Sequence, residues 1–126
     1  MKRVLLSTNF LLLTVFAPAL HGATSFVVVQ KSLTNHLKAI EENNFFNFIA
    51  DVTESVKMEM SKERLEALNK FLGARLKEGY VATYLCRLTQ QGNDVHLWKL
   101  TFNDKHDDVI IRMAFQDDKI AGFFLQ

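Results

Sequence analysis

Few side chains in this 126-residue chain do chemistry unaided: one cysteine, Cys86, and four histidines, His21, His36, His96 and His106. None of the histidines has a second at i+4 or a cysteine partner, the patterns from which a zinc site is read. Asp104, His106, Asp107 and Asp108 crowd one short stretch, and a hard cation needs several oxygen ligands. The spacing matches no calcium loop, so a solvated hairpin turn is expected, with no metal and no cofactor. Cys86 sits in Tyr84-Leu85-Cys86-Arg87-Leu88, where a thiol reads as a small buried hydrophobe. As the lone cysteine it has no partner for an intramolecular disulfide. The chain also lacks a glycine-rich phosphate loop and a G-x-S-x-G elbow. Trp98, its one tryptophan, alternates with Leu100 and Phe102 and is expected in the core. The alternative is an open pocket lined by Trp98, Phe102 and Tyr84, since aromatics often line ligand sites.

Hydrophobic periods define the elements that must hold these residues. Phe26, Val29, Leu33, Leu37 and Ile40 recur at steps of three and four, one face of a helix that leaves His36 and Lys38 outside the stripe. Phe45, Phe48, Ile49 and Val52 restart the rhythm in a second, shorter helix. Over residues 55–61 the pattern alternates, Val56, Met58 and Met60 against Ser55, Lys57 and Glu59, which predicts a short strand. Ser61 is a suitable N-cap for a third helix with Leu65, Leu68 and Leu72 as its stripe and Gly73 near its end. After Gly79 the period falls to two, predicting strands over 80–89, 95–102, 109–115 and 120–125. Their connections are short enough to join antiparallel neighbours. Helices first and a four-stranded antiparallel meander last make an α+β fold.

The chain opens with Lys2 and Arg3, an apolar stretch over 4–16, and small residues before a cut at Ala19 or Ala23. That is the layout of an export signal. The stretch is short of the roughly 20 apolar residues that span a bilayer, so residues 1–23 are expected to be cleaved. The remaining single domain, 24–126, would then be periplasmic or secreted, without a membrane span. Removing Lys2 and Arg3 leaves 13 basic against 14 acidic residues, which argues against a nucleic-acid-binding surface.

Gly73-Ala74-Arg75-Leu76-Lys77-Glu78-Gly79-Tyr80, Tyr84-Leu85, the run Val95-His96-Leu97-Trp98-Lys99-Leu100-Thr101-Phe102 and Asp118-Lys119-Ile120-Ala121-Gly122-Phe123 carry a family likeness. The chain resembles small exported domains of unknown function in the nuclear transport factor 2-like, or cystatin-like, superfamily. The resemblance implies helices packed into the concave side of a curved antiparallel sheet, forming a cone. Enzymes of that superfamily use a carboxylate or histidine inside the cone with a tyrosine or a second acid as donor. Here those roles fall to Asp51 with Tyr80 or Tyr84, the two tyrosines sharing one strand face. Asp51 is followed by Thr53 and Glu54, the composition of a wet helix end, so the expected function is a non-catalytic module that binds a small apolar ligand or an envelope protein. The alternatives are an isomerase or lyase built on Asp51, and a homodimer that packs its sheets through Ile110, Ala114, Phe123 and Leu125.

Overall fold

Ser25 starts the first helix, α1 (Phe26–Glu41), its Oγ accepting from the Val28 amide at 3.3 Å. Val29, Leu33, Leu37 and Ile40 are buried along it as their spacing predicts. The structure, a computed structural model, describes residues 24–126; the expected leader over 1–23 and its cleavage at Ala19 or Ala23 lie outside the described residues. Asn44 caps α2 (Phe45–Ile49), which buries Phe48. The predicted strand over 55–61 is instead a helix, α3 (Glu54–Glu59), with the Thr53 hydroxyl accepting from the Val56 amide. Val56 and Met60 satisfy a period of two and a period of four alike. Met58 separates the two, because it is 86% exposed while both neighbours in the alternation are buried.

Ser61 caps α4 (Lys62–Leu68) as expected, and Leu65, Leu68 and Leu72 are buried. The helix does not stop at Gly73. It continues through one π-helical turn (Asn69–Gly73) into α5 (Ala74–Glu78) and ends at Gly79, whose φ of 113° favours glycine. Gly73 is needed for space rather than for ending the helix, since a Cβ there would lie 2.6 Å from Asn69 Nδ2. That amide donates to the Ile40 and Glu41 carbonyls at 2.8 and 3.1 Å, which satisfies the end of α1.

The strands β1 (Tyr80–Gln90), β2 (Asn93–Phe102), β3 (Val109–Gln116) and β4 (Lys119–Leu125) form one antiparallel sheet in chain order. It is curved and unclosed, and the helices pack on one of its faces, so the fold is α+β. Gln91-Gly92 and Asp117-Asp118 make two-residue turns with positive φ, the mirror-image turns whose twist suits hairpins. The longer β2–β3 connection is held to α5 by Arg75, whose Nε donates to Asp104 at 2.7 Å and whose guanidinium lies 3.9 Å over the Phe102 ring. Among the described residues no helix is long and apolar enough to cross a membrane.

Two bulges change which face residues present. In β1 the register slips between Tyr84 and Cys86, leaving Leu85 without a partner. Cys86 therefore pairs with Leu97 on the face away from the helices and is exposed, contrary to the buried position expected of it. β1 is an edge strand, so nothing in the sheet covers that thiol. In β4 a slip beside Ala114 keeps Phe123 and Leu125 opposite Met113 and Ile111, in the core. Those two residues are thus unavailable to a sheet-to-sheet dimer, which retains only Ile110 and Ala114 of its four expected contacts.

Trp98 is fully buried beneath the helices, and its indole N–H donates to Gln30 Oε1 at 3.2 Å. Trp98→Ala should lower the unfolding free energy by roughly 3–5 kcal/mol, the range for large aromatics removed from cores. A urea titration read by circular dichroism measures this, and a loss below about 1 kcal/mol would contradict the packing described.

Candidate functional site

α1 brings two polar assemblies onto the sheet, one at each side. At its start Phe26 meets the Tyr84 ring edge-on, with centroids 4.8 Å apart. Tyr84 faces Trp98 across the β1–β2 ladder, and because of the slip at Leu85 so does Arg87 face His96. Regular alternation would have put Tyr84 and Arg87 on opposite faces. Instead they join one chain of hydrogen bonds: Tyr84 OH to His96 Nδ1 at 2.9 Å, His96 Nε2 to Asp94 Oδ2 at 3.2 Å, and Arg87 Nε to the other Asp94 oxygen.

The charges of this chain follow from its partners. Burial alone would raise the Asp94 carboxyl, but hydrogen bonds from Arg87 and His96 hold it below its usual value. With Asp94 ionised, His96 Nε2 donates to it, which leaves Nδ1 to accept from the tyrosine. Burial pushes the Tyr84 phenol up, helped by Cys86 and Asp94 and opposed by Arg87. Tyr84 is therefore a protonated donor at neutral pH. Both nitrogens of His96 are engaged within this chain of hydrogen bonds.

The second assembly surrounds His36. Expected outside the apolar stripe, it is only 3% exposed. It stands seven residues after Val29, three after Leu33 and four before Ile40, on the buried face of the helix with Ser32 and Ala39 to one side of it. Its ring lies 3.9 Å from that of Phe48 in α2 and 4.7 Å from that of Phe123 in β4. Val52, Val56, Met60, Leu68, Ile120 and Leu125 complete the pocket, which has room for about one water molecule. His36 Nε2 is buried here without a hydrogen-bond partner. Burial holds the imidazole at a pKa of about 3, so it is neutral under physiological conditions.

The expected site residues lie apart from this pocket. Asp51 sits beside β4, its carbonyl accepting from the Ile120 amide at 2.7 Å. Tyr80 and Tyr84 do share one face, but of β1, at the opposite edge of the four-stranded sheet. Three strand spacings, about 14 Å, separate those edges, and the structure does not bring Asp51 to either tyrosine. Trp98 and Phe102 belong to the packed core, and Tyr84 packs against it. Burial, then the charge of Glu41, raises the Tyr80 phenol, so it too stays protonated. Among the described residues no three His, Cys, Asp or Glu side chains converge as metal ligands would.

Sequence reasoning overlooked Asp94, His96 and His36. The first two were accessible from alternation, since positions 94 and 96 continue the face that carries Trp98, Leu100 and Phe102. His36 was accessible from helical spacing, seven residues after Val29 and four before Ile40, and Phe48 and Phe123 complete its burial from other elements. No protein-family model matches the chain, and no curated protein is detectably similar to it.

The neutral His36 makes stability depend on pH. In the unfolded chain it takes up a proton near 6.5, in the folded one only near 3. Between these values the unfolded state binds the extra proton, so stability falls as pH is lowered through that window, by up to about 1.4 kcal/mol per pH unit. The carboxylates Asp94 and Asp104, both held low, add their losses only below about pH 4. Urea midpoints should therefore drop between about pH 6.5 and about pH 5, and His36→Phe should flatten the slope there. A wild-type profile already flat across this range would show that His36 titrates normally.

Proposed function

We propose that this chain is an exported, non-catalytic binding module of the nuclear transport factor 2-like kind, and that the His36 pocket takes a small apolar ligand. One observation carries the binding: a small void lined by apolar side chains borders His36, whose Nε2 is buried with no partner. Buried polar atoms are seldom left unpaired, and one that is requires an explanation. Export is supported by the basic, apolar and small-residue layout of residues 1–23. The superfamily is supported by the order of elements, helices first and then a curved four-stranded sheet packed around them.

Catalysis is disfavoured at this pocket by its chemistry. A general base works best with a pKa near the operating pH, whereas His36 is held near 3 and is the only titratable residue in the lining. Asp51 and the tyrosines stand at opposite edges of the sheet, and Tyr84 is held in the Tyr84–His96–Asp94 chain. Its simplest role is to pin β1 to β2 beneath the start of α1.

Two measurements test this proposal. Toluene, cyclohexane and indole, screened against the purified protein, should raise its thermal midpoint and perturb the resonances of Phe48, Phe123 and Leu125, with no turnover of hydroxy-carbonyl or steroid substrates. Turnover that disappears in Asp51→Asn or Tyr84→Phe while the fold survives would replace the binder with an enzyme. For export, intact mass of the protein from the non-cytoplasmic fraction should match a chain beginning at Leu20 or Thr24; recovery of the full-length form from the cytoplasm would refute it.

A further inference from the structure

We propose that β1 pairs edge to edge with β1 of a second copy of this chain, in antiparallel register about a two-fold axis at Ala82. The pairing stands independently of the His36 pocket.

The two edges of the sheet are treated differently. At β4, Ile120 exchanges hydrogen bonds with Asp51 and Thr53, so the chain itself covers part of that edge. At β1 no described residue does so. Edge strands are usually blunted by charges or proline, yet Tyr80-Val81-Ala82-Thr83-Tyr84 contains neither. Val81, Ala82 and Thr83 are exposed, Val81 at 62%. The bulge at Leu85 ends this segment, and the one charge of the strand, Arg87, lies beyond it and is held by Asp94.

The register fixes where the backbone groups of this edge point. The Asn103 amide donates to the Gly79 carbonyl at 2.9 Å, just outside the pair Tyr80–Phe102. Such a bond flanks a pair whose members make none with each other, so the N–H and C=O of Tyr80 point away from β2. By alternation those of Ala82 and Tyr84 do the same, opposite Leu100 and Trp98. Free donors and acceptors therefore stand at every second residue, with Ala82 at their centre.

The side chains select the occupant. A two-fold axis at Ala82 sets Tyr80 against Tyr84 of the second copy, Val81 against Thr83, and Ala82 against itself. The segment has nearly the same shape read in either direction, because valine and threonine share the branched side chain that strands favour. An isologous interface requires a self-complementary patch, and this segment is one. Each of the pairs Tyr80–Tyr84, Ala82–Ala82 and Tyr84–Tyr80 supplies two hydrogen bonds. No charge meets a like charge, and aromatic and β-branched pairs across strands are favourable. The two four-stranded sheets become one.

Sedimentation equilibrium of the purified protein between about 10 μM and about 1 mM, a range suited to a small interface, should show a monomer passing to a dimer. In the dimer the amides of Tyr80, Ala82 and Tyr84 should exchange with deuterium about tenfold more slowly than in the monomer. Those of Val81 and Thr83, already bonded to β2, should keep their rates. Ala82→Pro removes a donor that β2 does not use, so the fold should survive while the dimer is lost. Should that variant fail to fold, Val81→Lys combined with Thr83→Lys, both at exposed positions, sets lysine against lysine and should also give a monomer. A monomer at every concentration would overturn the proposal. So would a dimer that persists in these variants with its β1 amides unprotected, since it would pair through another face. Edge amides protected by an added peptide of alternating valine and threonine, in a protein that stays monomeric, would give β1 to a foreign strand and overturn the pairing of copies.

Discussion

A single helix lying across the whole sheet is the constraint from which the rest of the structure follows. Within one stretch of α1, Phe26 packs on Tyr84 of β1, Gln30 accepts from Trp98 of β2, and His36 packs on Phe123 of β4. From residue 26 to residue 36 a helix rises about 15 Å, comparable with the three strand spacings, about 14 Å, that separate β1 from β4. The helix is thus long enough to reach from one edge to the other. Its stripe of Val29, Leu33, Leu37 and Ile40 then has one place to go, against the sheet. The hydrophobic transfer of these side chains, roughly 1.5–3 kcal/mol each when fully buried, is what holds helix and sheet together in the absence of a disulfide.

The ends of α1 are secured by polar contacts of different kinds. Ser25 caps the start, and the Asn69 side-chain amide donates to the Ile40 and Glu41 carbonyls across 29 and 28 residues in sequence. That second contact explains an otherwise odd helix. The π-helical turn sits at Asn69–Gly73, and Gly73 leaves space for the amide that any Cβ would crowd. The π-helical turn lies where this tertiary hydrogen bond is made.

Two buried histidines show how the same side chain is handled in opposite ways. His96 has both nitrogens paired, inside a chain that ends on a charged pair, Arg87 and Asp94. Such a network is expensive when incomplete and specific when complete, and here it fixes the register of β1 on β2 beside the bulge. His36 is packed between two phenylalanines with Nε2 unpaired. Desolvation without compensation lowers its pKa and costs stability, since an unpaired polar group keeps its full dehydration penalty. The contrast separates a group that holds the fold from one that the fold carries at a cost.

The sequence by itself determined that helices precede a four-stranded sheet, the apolar stripe of α1, the cap at Ser61 and the burial of Trp98. Each of these depends on periods of two or of 3.6 residues, or on a cap within three residues, and such information is local. It also contained the face shared by Asp94, His96 and Trp98, although only their alternation recorded it. The segment 54–59 was ambiguous because six residues are too few to separate the two periods when Val56 and Met60 fit both. What only the tertiary structure decided was non-local: the slip at Leu85 that exposes Cys86 and turns Arg87 toward His96, the continuation of the helix past Gly73, and the burial of His36. A bulge is one extra residue whose position depends on the partner strand, and a histidine on a helix face is buried only if other elements close over it. Phe48 and Phe123 lie 12 and 87 residues further along the chain from His36, and it is their convergence on that ring, which no spacing encodes, that makes the pocket.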